Sequence, residues 1–497
     1  MIIKKDPDII KGFLEDYSNL KSGFCQDVYF AETEDDIRQA LHDSVSLMAP
    51  LTITGAGTGV AGARIPFGGN VLSLEKMNSI SAIRPLPDGT AEITVGAGLI
   101  LKDLLEKVDQ GGYFYPPDPT EKTSFVAGNI STSASGAKSF KYGATRDFVK
   151  SLRLMLSNGQ ILNLKRGEIF ADRRRLDITT ESGHRLSLTL PSYDMPRVKN
   201  AAGYYIKDDM DAIDLFIGQE GTLGIILNAT LKLIKKPGQS MDCYAFFKNN
   251  DDAVSFALKA REQSLIKNTA LDAACLEFFD SNALDLLRQK HDIIPSLAKG
   301  AVYFQQEIPR GDDGDMLISA WANLIARCNG LTDETWLALA DKDRQRVSDI
   351  RHDVPDMVNE YLKKHNMLKI GTDMAVPHKD LPAMMKYCDN TLSGAGLKYL
   401  CFGHIGQAHL HINILPKNTA EHEKGKRVYN KLVQKAISLG GTPTAEHGIG
   451  KIKHGYLEML YGKEAVAQMA RLKKQLDPYC ILGLDNIFPR HLLEPAL

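Results

Sequence analysis

Two short stretches of the chain hold residues whose types suit chemistry. The first is Phe402-Gly403-His404-Ile405-Gly406-Gln407-Ala408-His409-Leu410-His411, and the second is Ala445-Glu446-His447-Gly448-Ile449-Gly450-Lys451. They concentrate four of the 13 histidines beside one glutamate. Imidazole nitrogens with a carboxylate suit a borderline divalent ion such as zinc or manganese, with positions left open for a substrate. The alternative, for any one of them, is a strand histidine whose hydrogen bonds are satisfied within the fold. The i,i+2 spacing puts His409 and His411 on one strand face, while His404 precedes the strand and approaches from a loop.

The elements that must position these residues read as a separate unit. From about 237 to 440, amphipathic helical stretches (DDAVSFALKAREQS, DMLISAWANLIARC) alternate with apolar strands (DCYAFF, AVYFQQEI). This predicts an α+β cap domain over 237–440, followed by a C-terminal segment over 441–497.

Residues 1–236 have a different character. TITGAGTGVAGARIPFGG, over 52–69, satisfies G-x-G-x-x-G after a short apolar strand, as a Rossmann turn does. A Rossmann turn opens a helix, and the crossover needs about 10–12 residues or more. Pro66 and Gly68-Gly69 leave no room for a helix before the next strand, NVLSLEKM. A P-loop also fails, because no Lys-Ser/Thr follows the glycines. What is left is a loop of small residues whose backbone N–H groups can approach a phosphate, or a plain glycine-rich connection. More such stretches follow: VGAGL at 95–99, PPDP near 117, the run Ala127–Gly136, Lys141-Tyr142-Gly143, and Glu220-Gly221-Thr222-Leu223-Gly224 before an apolar strand. Asn158-Gly159 predicts a hairpin.

Composition sets the outer bounds. A chain of 497 residues predicts two or three domains, and 43% hydrophobic with 24% charged residues is ordinary for a globular protein. A net charge of −1 implies no general attraction to nucleic acid or to anionic membrane. The N-terminus lacks a signal-peptide pattern, and no run is long enough to span a membrane. Seven dispersed cysteines without C-x-x-C argue against a cluster held by this chain and for reduced thiols. The expected location is cytoplasmic, with peripheral contact at the inner face of a membrane as a variant. A homodimer is compatible with this reading.

The ordered series GAGTGVAG, PPDP, AGNISTSASG, KYG, GQEGTLGII resembles the flavin domain of the vanillyl-alcohol oxidase-like (PCMH-type) superfamily. The C-terminal motifs extend the likeness to its D-lactate dehydrogenase, glycolate oxidase and D-2-hydroxyglutarate dehydrogenase group. The resemblance implies an α+β fold. In it, a PCMH-type FAD-binding domain of two subdomains is joined to the α+β cap, and a C-terminal segment returns to the flavin domain. It implies FAD held by Gly55, Gly57, Thr58, Gly59 and Gly62 at the pyrophosphate. The rest of FAD falls to Pro117, Gly128, Asn129, Ser133, Ala134, Ser135, Gly136, Tyr142, Gly143, Glu220, Gly221 and Ile226, with Asn486 near the end of the chain. Neither loop carries His or Cys, so the FAD is expected to be noncovalent.

By the group's G-H-x-G-x-x-x-x-H and E-H-G-I-G patterns, His404, His411 and Glu446 are the implied metal ligands and His447 the implied base. His409 stands where relatives commonly carry Asn. It is read either as a residue behind the ligands or as an alternative ligand. Arg351 matches the arginine that takes a substrate carboxylate, a role its bidentate fork suits; the alternative is a surface salt bridge. The positions that bind a second carboxylate in the hydroxyglutarate branch correspond to Pro355 and Gly371, with Lys369 as a possible replacement. The expected substrate is therefore a D-2-hydroxy acid with one carboxylate, such as D-lactate. Oxidation passes electrons through FAD to a quinone, a cytochrome, electron-transfer flavoprotein or an iron–sulfur protein. The basic segment 165–205, with Arg173-Arg174-Arg175, is read as a solvated face or a contact for an acidic partner. Two rivals stand beside this reading: a sugar or alditol oxidase of the same superfamily, and a flavin subunit that only relays electrons.

Overall fold

The computed structural model describes residues 1–266, 269–309 and 314–494. The first glycine-rich loop lies in a four-stranded sheet in the order Ile2–Lys4, Val28–Phe30, Asn70–Ser73, Leu51–Thr54. Leu51–Thr54 pairs in parallel with Asn70–Ser73. The crossover between them is made of turns, with Ile65 N–H bonded to Gly62 C=O at 3.1 Å, and it contains no helix. This is the feature that excludes a Rossmann turn.

The second sheet of the flavin half runs Arg84–Pro85, Ala91–Gly96, Ile225–Lys235, Val149–Met155, Ile161–Lys165, with Tyr113–Phe114 alongside Ile225–Lys235. The Asn158-Gly159 hairpin forms as its sequence requires, with Met155 opposite Ile161 and Gly159 at φ 78°. One apolar core joins both sheets and takes in Ile449, Leu457, Leu472, Leu482 and Phe488. The C-terminal segment thus returns to the flavin half. Buried Lys473 helps to pin it there, donating to Asp477 at 2.6 Å, to Thr222 C=O at 2.8 Å and to Leu482 C=O at 2.8 Å.

The third sheet has eight strands among the described residues. Its order is Trp336–Ala338, Ser240–Phe247, Gly300–Glu307, Ala273–Asp280, Tyr399–Gly403, His409–Ile414, Ile370–Gly371, and Met374–Ala375 also pairs with His409–Ile414. Helices cover both faces, giving two apolar cores. Ala273–Asp280 is consequently buried at every residue rather than at alternate ones. The segment 165–205 contains the antiparallel pair Arg175–Thr179 and Arg185–Thr189, which lies against the helix His454–Leu476 through Thr189 N–H and Gln475 Oε1 at 2.9 Å. Arg174 meets Asp208 at 2.6 Å and Arg175 meets Asp177 at 3.4 Å, so two of the three arginines find carboxylates within the chain. No described helix is long and apolar enough to cross a membrane.

Candidate active site

The site lies where the third sheet meets the flavin half. Tyr399–Gly403 ends in Gly403 at φ 122°, where a Cβ would sit 2.8 Å from His411 Cδ2. A short turn over Ile405–Gln407, closed by Ala408 at φ 50°, then folds the chain back, with His409 N–H on His404 C=O at 3.2 Å. This hairpin brings the loop histidine over the strand. The ring centroids of His404, His409 and His411 stand 5.4, 5.4 and 4.6 Å apart.

All three rings turn a nitrogen toward the Glu446 carboxylate: His404 Nε2 at 3.5 Å, His411 Nε2 at 3.4 Å and His409 Nδ1 at 3.7 Å. One donor atom from each of these four residues lies within 4.8 Å of every other. Two further groups reach the same carboxylate. Lys199 Nζ stands 2.5 Å away, and Ser135 Oγ donates at 3.2 Å. Burial works to raise the Glu446 pKa, but Lys199 and the imidazoles of His404 and His409 hold it well below the usual carboxylate range. Three imidazole nitrogens and one ionised carboxylate oxygen are a donor set that zinc or manganese accepts, so these residues fit a divalent ion.

His447, a third exposed, turns its ring toward His411, with centroids 5.8 Å apart. Its Nδ1 lies 3.1 Å from Asp373 Oδ1. Asp373 also meets His409 Nε2 at 3.1 Å and Lys453 Nζ at 2.9 Å. Burial works to raise Asp373, and the His447, Lys453 and His409 contacts hold it well below the usual range. On the other side of the histidines, Glu277 bonds His404 Nδ1 at 2.7 Å and Arg351 Nε at 3.2 Å. Burial raises its pKa, while Arg351 and then His404 bring it down to about 2. Arg351 projects from the helix Asp341–Lys364, its side chain 15% exposed. The partner of Arg351 is thus a buried carboxylate behind a candidate ligand, and the surface salt bridge does not apply. Pro355 lies within the same helix. Gly371 pairs with Asn413, and the Lys369 stem passes close by: a Cβ on Gly371 would meet Lys369 Cε at 3.1 Å.

Nothing in the sequence motifs singles out Asp373, Glu277, Lys453 or Lys199. The one local signal is Asp373 itself, a lone acid within the otherwise uncharged run I-G-T-D-M-A-V-P.

The flavin loops fall into three kinds. Gly55, Gly59 and Gly128 need neither a positive φ nor room inside the fold, because a Cβ at each would meet no protein atom within 4 Å. Backbone held close to an outside ligand explains such glycines, so these loops fit the expected cofactor. Gly57, Gly62, Gly143 and Gly221 lie at φ 84°, 75°, 94° and 75°, and Ser133 and Glu220 also take positive φ. Gly136 is set by the chain, since its Cβ would fall 1.9 Å from Asp118 C=O. Around them Thr58, Ala134 and Ser135 are half-buried, Pro117 is buried, and Ile226 sits in the central strand of the second sheet. Val126–Ser131, inside the small polar run, is a short helix that buries Asn129.

Three of the expected cofactor contacts have side chains engaged elsewhere. Tyr142 gives its hydroxyl to Glu307, a residue of the third sheet. Glu220 accepts from the N–H groups of Ile449 at 2.9 Å and Gly450 at 2.7 Å. Asn486 donates to Glu220 C=O at 2.8 Å and accepts from Lys451 Nζ at 2.5 Å. The latter two brace the His447 loop against the flavin half.

Known proteins match this organisation. The "FAD binding domain" family matches residues 26–165, and "FAD linked oxidases, C-terminal domain" matches 241–484. The glycolate oxidase subunit GlcD of Bacillus subtilis is 29% identical over 92% of this chain and 87% of its own. A D-lactate dehydrogenase of Anaerostipes hadrus is 27% identical over 88% and 84%. A D-2-hydroxyglutarate dehydrogenase of Xanthomonas citri is 27% identical over 88% and 84%. Among solved structures, alkyldihydroxyacetonephosphate synthase superposes with a TM-score of 0.65 at 15% identity, over 97% of this chain and 82% of that one, a likeness of fold. The two matched regions, in this order and on this fold, give the chain the FAD-binding domain and the C-terminal domain of the FAD-linked oxidases.

Proposed function

We propose that the chain is an FAD-dependent dehydrogenase that oxidises a D-2-hydroxy acid of the D-lactate type to the 2-oxo acid. Electrons then pass to an acceptor other than oxygen. The observation that carries the reading is the Ser135–Glu446 contact. It joins a flavin loop to a cluster containing three imidazoles, a carboxylate and a separate histidine base. The names of the relatives support the substrate class.

FAD, when bound, supplies the two-electron acceptor. The chain's own residues supply position and proton transfer. Arg351 is the cation that takes the substrate carboxylate, and Glu277 fixes its direction by holding Nε. His404, His411 and Glu446 would hold a divalent ion, zinc or manganese, which would supply Lewis acidity to the substrate hydroxyl. The Asp373 carboxylate assigns the His447 tautomer: Nδ1–H donates to it, which leaves the Nε2 lone pair to take the hydroxyl proton. Asp373 then steadies the imidazolium that forms.

The test is anaerobic bleaching of the flavin spectrum by a panel of D- and L-2-hydroxy acids, with and without chelator. Fast bleaching by a D-acid, lost on chelation, is expected. A yellow protein that no hydroxy acid bleaches sinks the reading in favour of a sugar oxidase or an electron-relay subunit. One observation favours a second reading, a hydroxy acid with a distal carboxylate: the Lys369 stem crosses Gly371 beside the histidine strand. D-2-hydroxyglutarate in the same panel decides between them.

A further inference from the structure

The third imidazole is not needed by the ligand set that the resemblance implies, yet it is the most deeply enclosed of the three. His409 is fully buried, on the strand face that carries His411. Its two nitrogens face different partners. Nε2 lies 3.1 Å from Asp373 Oδ1, and Nδ1 lies 3.2 Å from Lys199 Nζ and 3.7 Å from Glu446 Oε2. An ammonium has only protons to give, so it must meet an unprotonated Nδ1. The Nε2–H then donates to Asp373. This is the arrangement of an imidazole whose outer nitrogen is held by a carboxylate and whose inner lone pair is offered to a cation.

Resting on the metal-assisted reading above, we propose that His409 is a fourth protein ligand, so that the ion is held by His404, His409, His411 and Glu446. Asp373 is then shared between a metal ligand, through His409, and the base His447. Lys199 donates to the same His409 and Glu446 lone pairs that a metal takes. Metal entry therefore requires the ammonium to move aside.

The test uses the FAD-loaded enzyme, stripped with chelator and reloaded with Zn2+. X-ray absorption at the zinc edge counts imidazoles from their multiple-scattering signature without any variant. Three imidazoles are expected; two overturn the proposal. In His409→Asn, zinc affinity is expected to fall by about 100-fold or more, with FAD content and flavin spectrum kept. Unchanged affinity together with two imidazoles in the parent removes His409 and leaves the metal-assisted reading standing. Failure of the parent to bind Zn2+, Mn2+ or Co2+ removes both.

Discussion

The two halves of the site are specified in opposite ways. In the flavin half, the sequence works by leaving side chains out. A Cβ on Gly69, Gly96, Gly98 or Gly136 would fall 1.9–2.2 Å from a backbone oxygen of a neighbouring segment. In the third sheet, the sequence works by putting charged and polar side chains where they are costly. His409, Asp373 and Glu277 are each at most 2% exposed, and each is held by partners of complementary charge or hydrogen-bonding capacity. Backbone approach tolerates no added atom, whereas a polar network tolerates an isosteric change if its hydrogen bonds survive. The first kind of site should fail through loss of structure and the second through loss of rate or of metal.

The sharpest break in that comparison comes from a single methyl. Gly136→Ala faces the Asp118 backbone, which cannot step aside as a flexible side chain can. It is expected to abolish soluble, FAD-containing protein, read by flavin absorbance after purification. Recovery of a normally yellow protein would overturn the account of this loop.

His447→Asn lies at the other pole. FAD and fold should be retained while anaerobic flavin reduction slows by about 10²–10⁴-fold. Unchanged reduction would remove His447 from the role of base. Asp373→Asn should act through its two imidazoles at once, weakening metal binding by about 10–100-fold and slowing reduction. A loss confined to one of the two would mean that Asp373 serves only one histidine.

A smaller effect tests Glu220, where the two halves meet. Burial pushes its pKa up to about 7 despite the two N–H groups it accepts and the nearby Lys453 and Lys451. The folded state therefore holds this proton more tightly than the unfolded chain does. Glu220's contribution to stability is full below its unfolded value and declines as pH rises through about 7. The wild type should lose on the order of 3 kcal/mol relative to Glu220→Gln between about pH 4.5 and 7, then run parallel to it. Parallel curves throughout would show that Glu220 does not titrate in this window.

This division also explains what could be read in the sequence. Gly57 to Gly62 could be judged locally, because Pro66 and Gly68-Gly69 deny a helix to the crossover, and no helix forms there. The grouping of His404, His411 and Glu446 was accessible only through the resemblance, whose two motifs are each short and contiguous. The partners of those residues were not. Asp373 is 74 residues from His447 in sequence, Glu277 is 127 from His404, and Lys199 is 247 from Glu446. No periodicity or spacing encodes such pairings; only the order of strands in the third sheet and the docking of the two halves create them. The short helix Val126–Ser131 was hidden for another reason. Its composition of small residues reads as loop, and burial of Val126, Ala127 and Ile130 against the core overrides that propensity.

The Glu446–Ser135 contact spans 311 positions of sequence, and Gly450 lies against Ala61, a Cβ there falling 2.0 Å from the Ala61 C=O. A chain emerging from the ribosome can therefore complete the flavin sheets and much of the third sheet before the loop that carries His447 exists. Closure of so long a loop is a late and slow event in folding. Until it happens, the glycine cradle and the histidine strand are two separate surfaces, and an incompletely synthesised chain lacks Glu446 and His447. The full cluster is assembled only by the final docking of the C-terminal segment, which makes that step the natural checkpoint between a folded chain and a complete site.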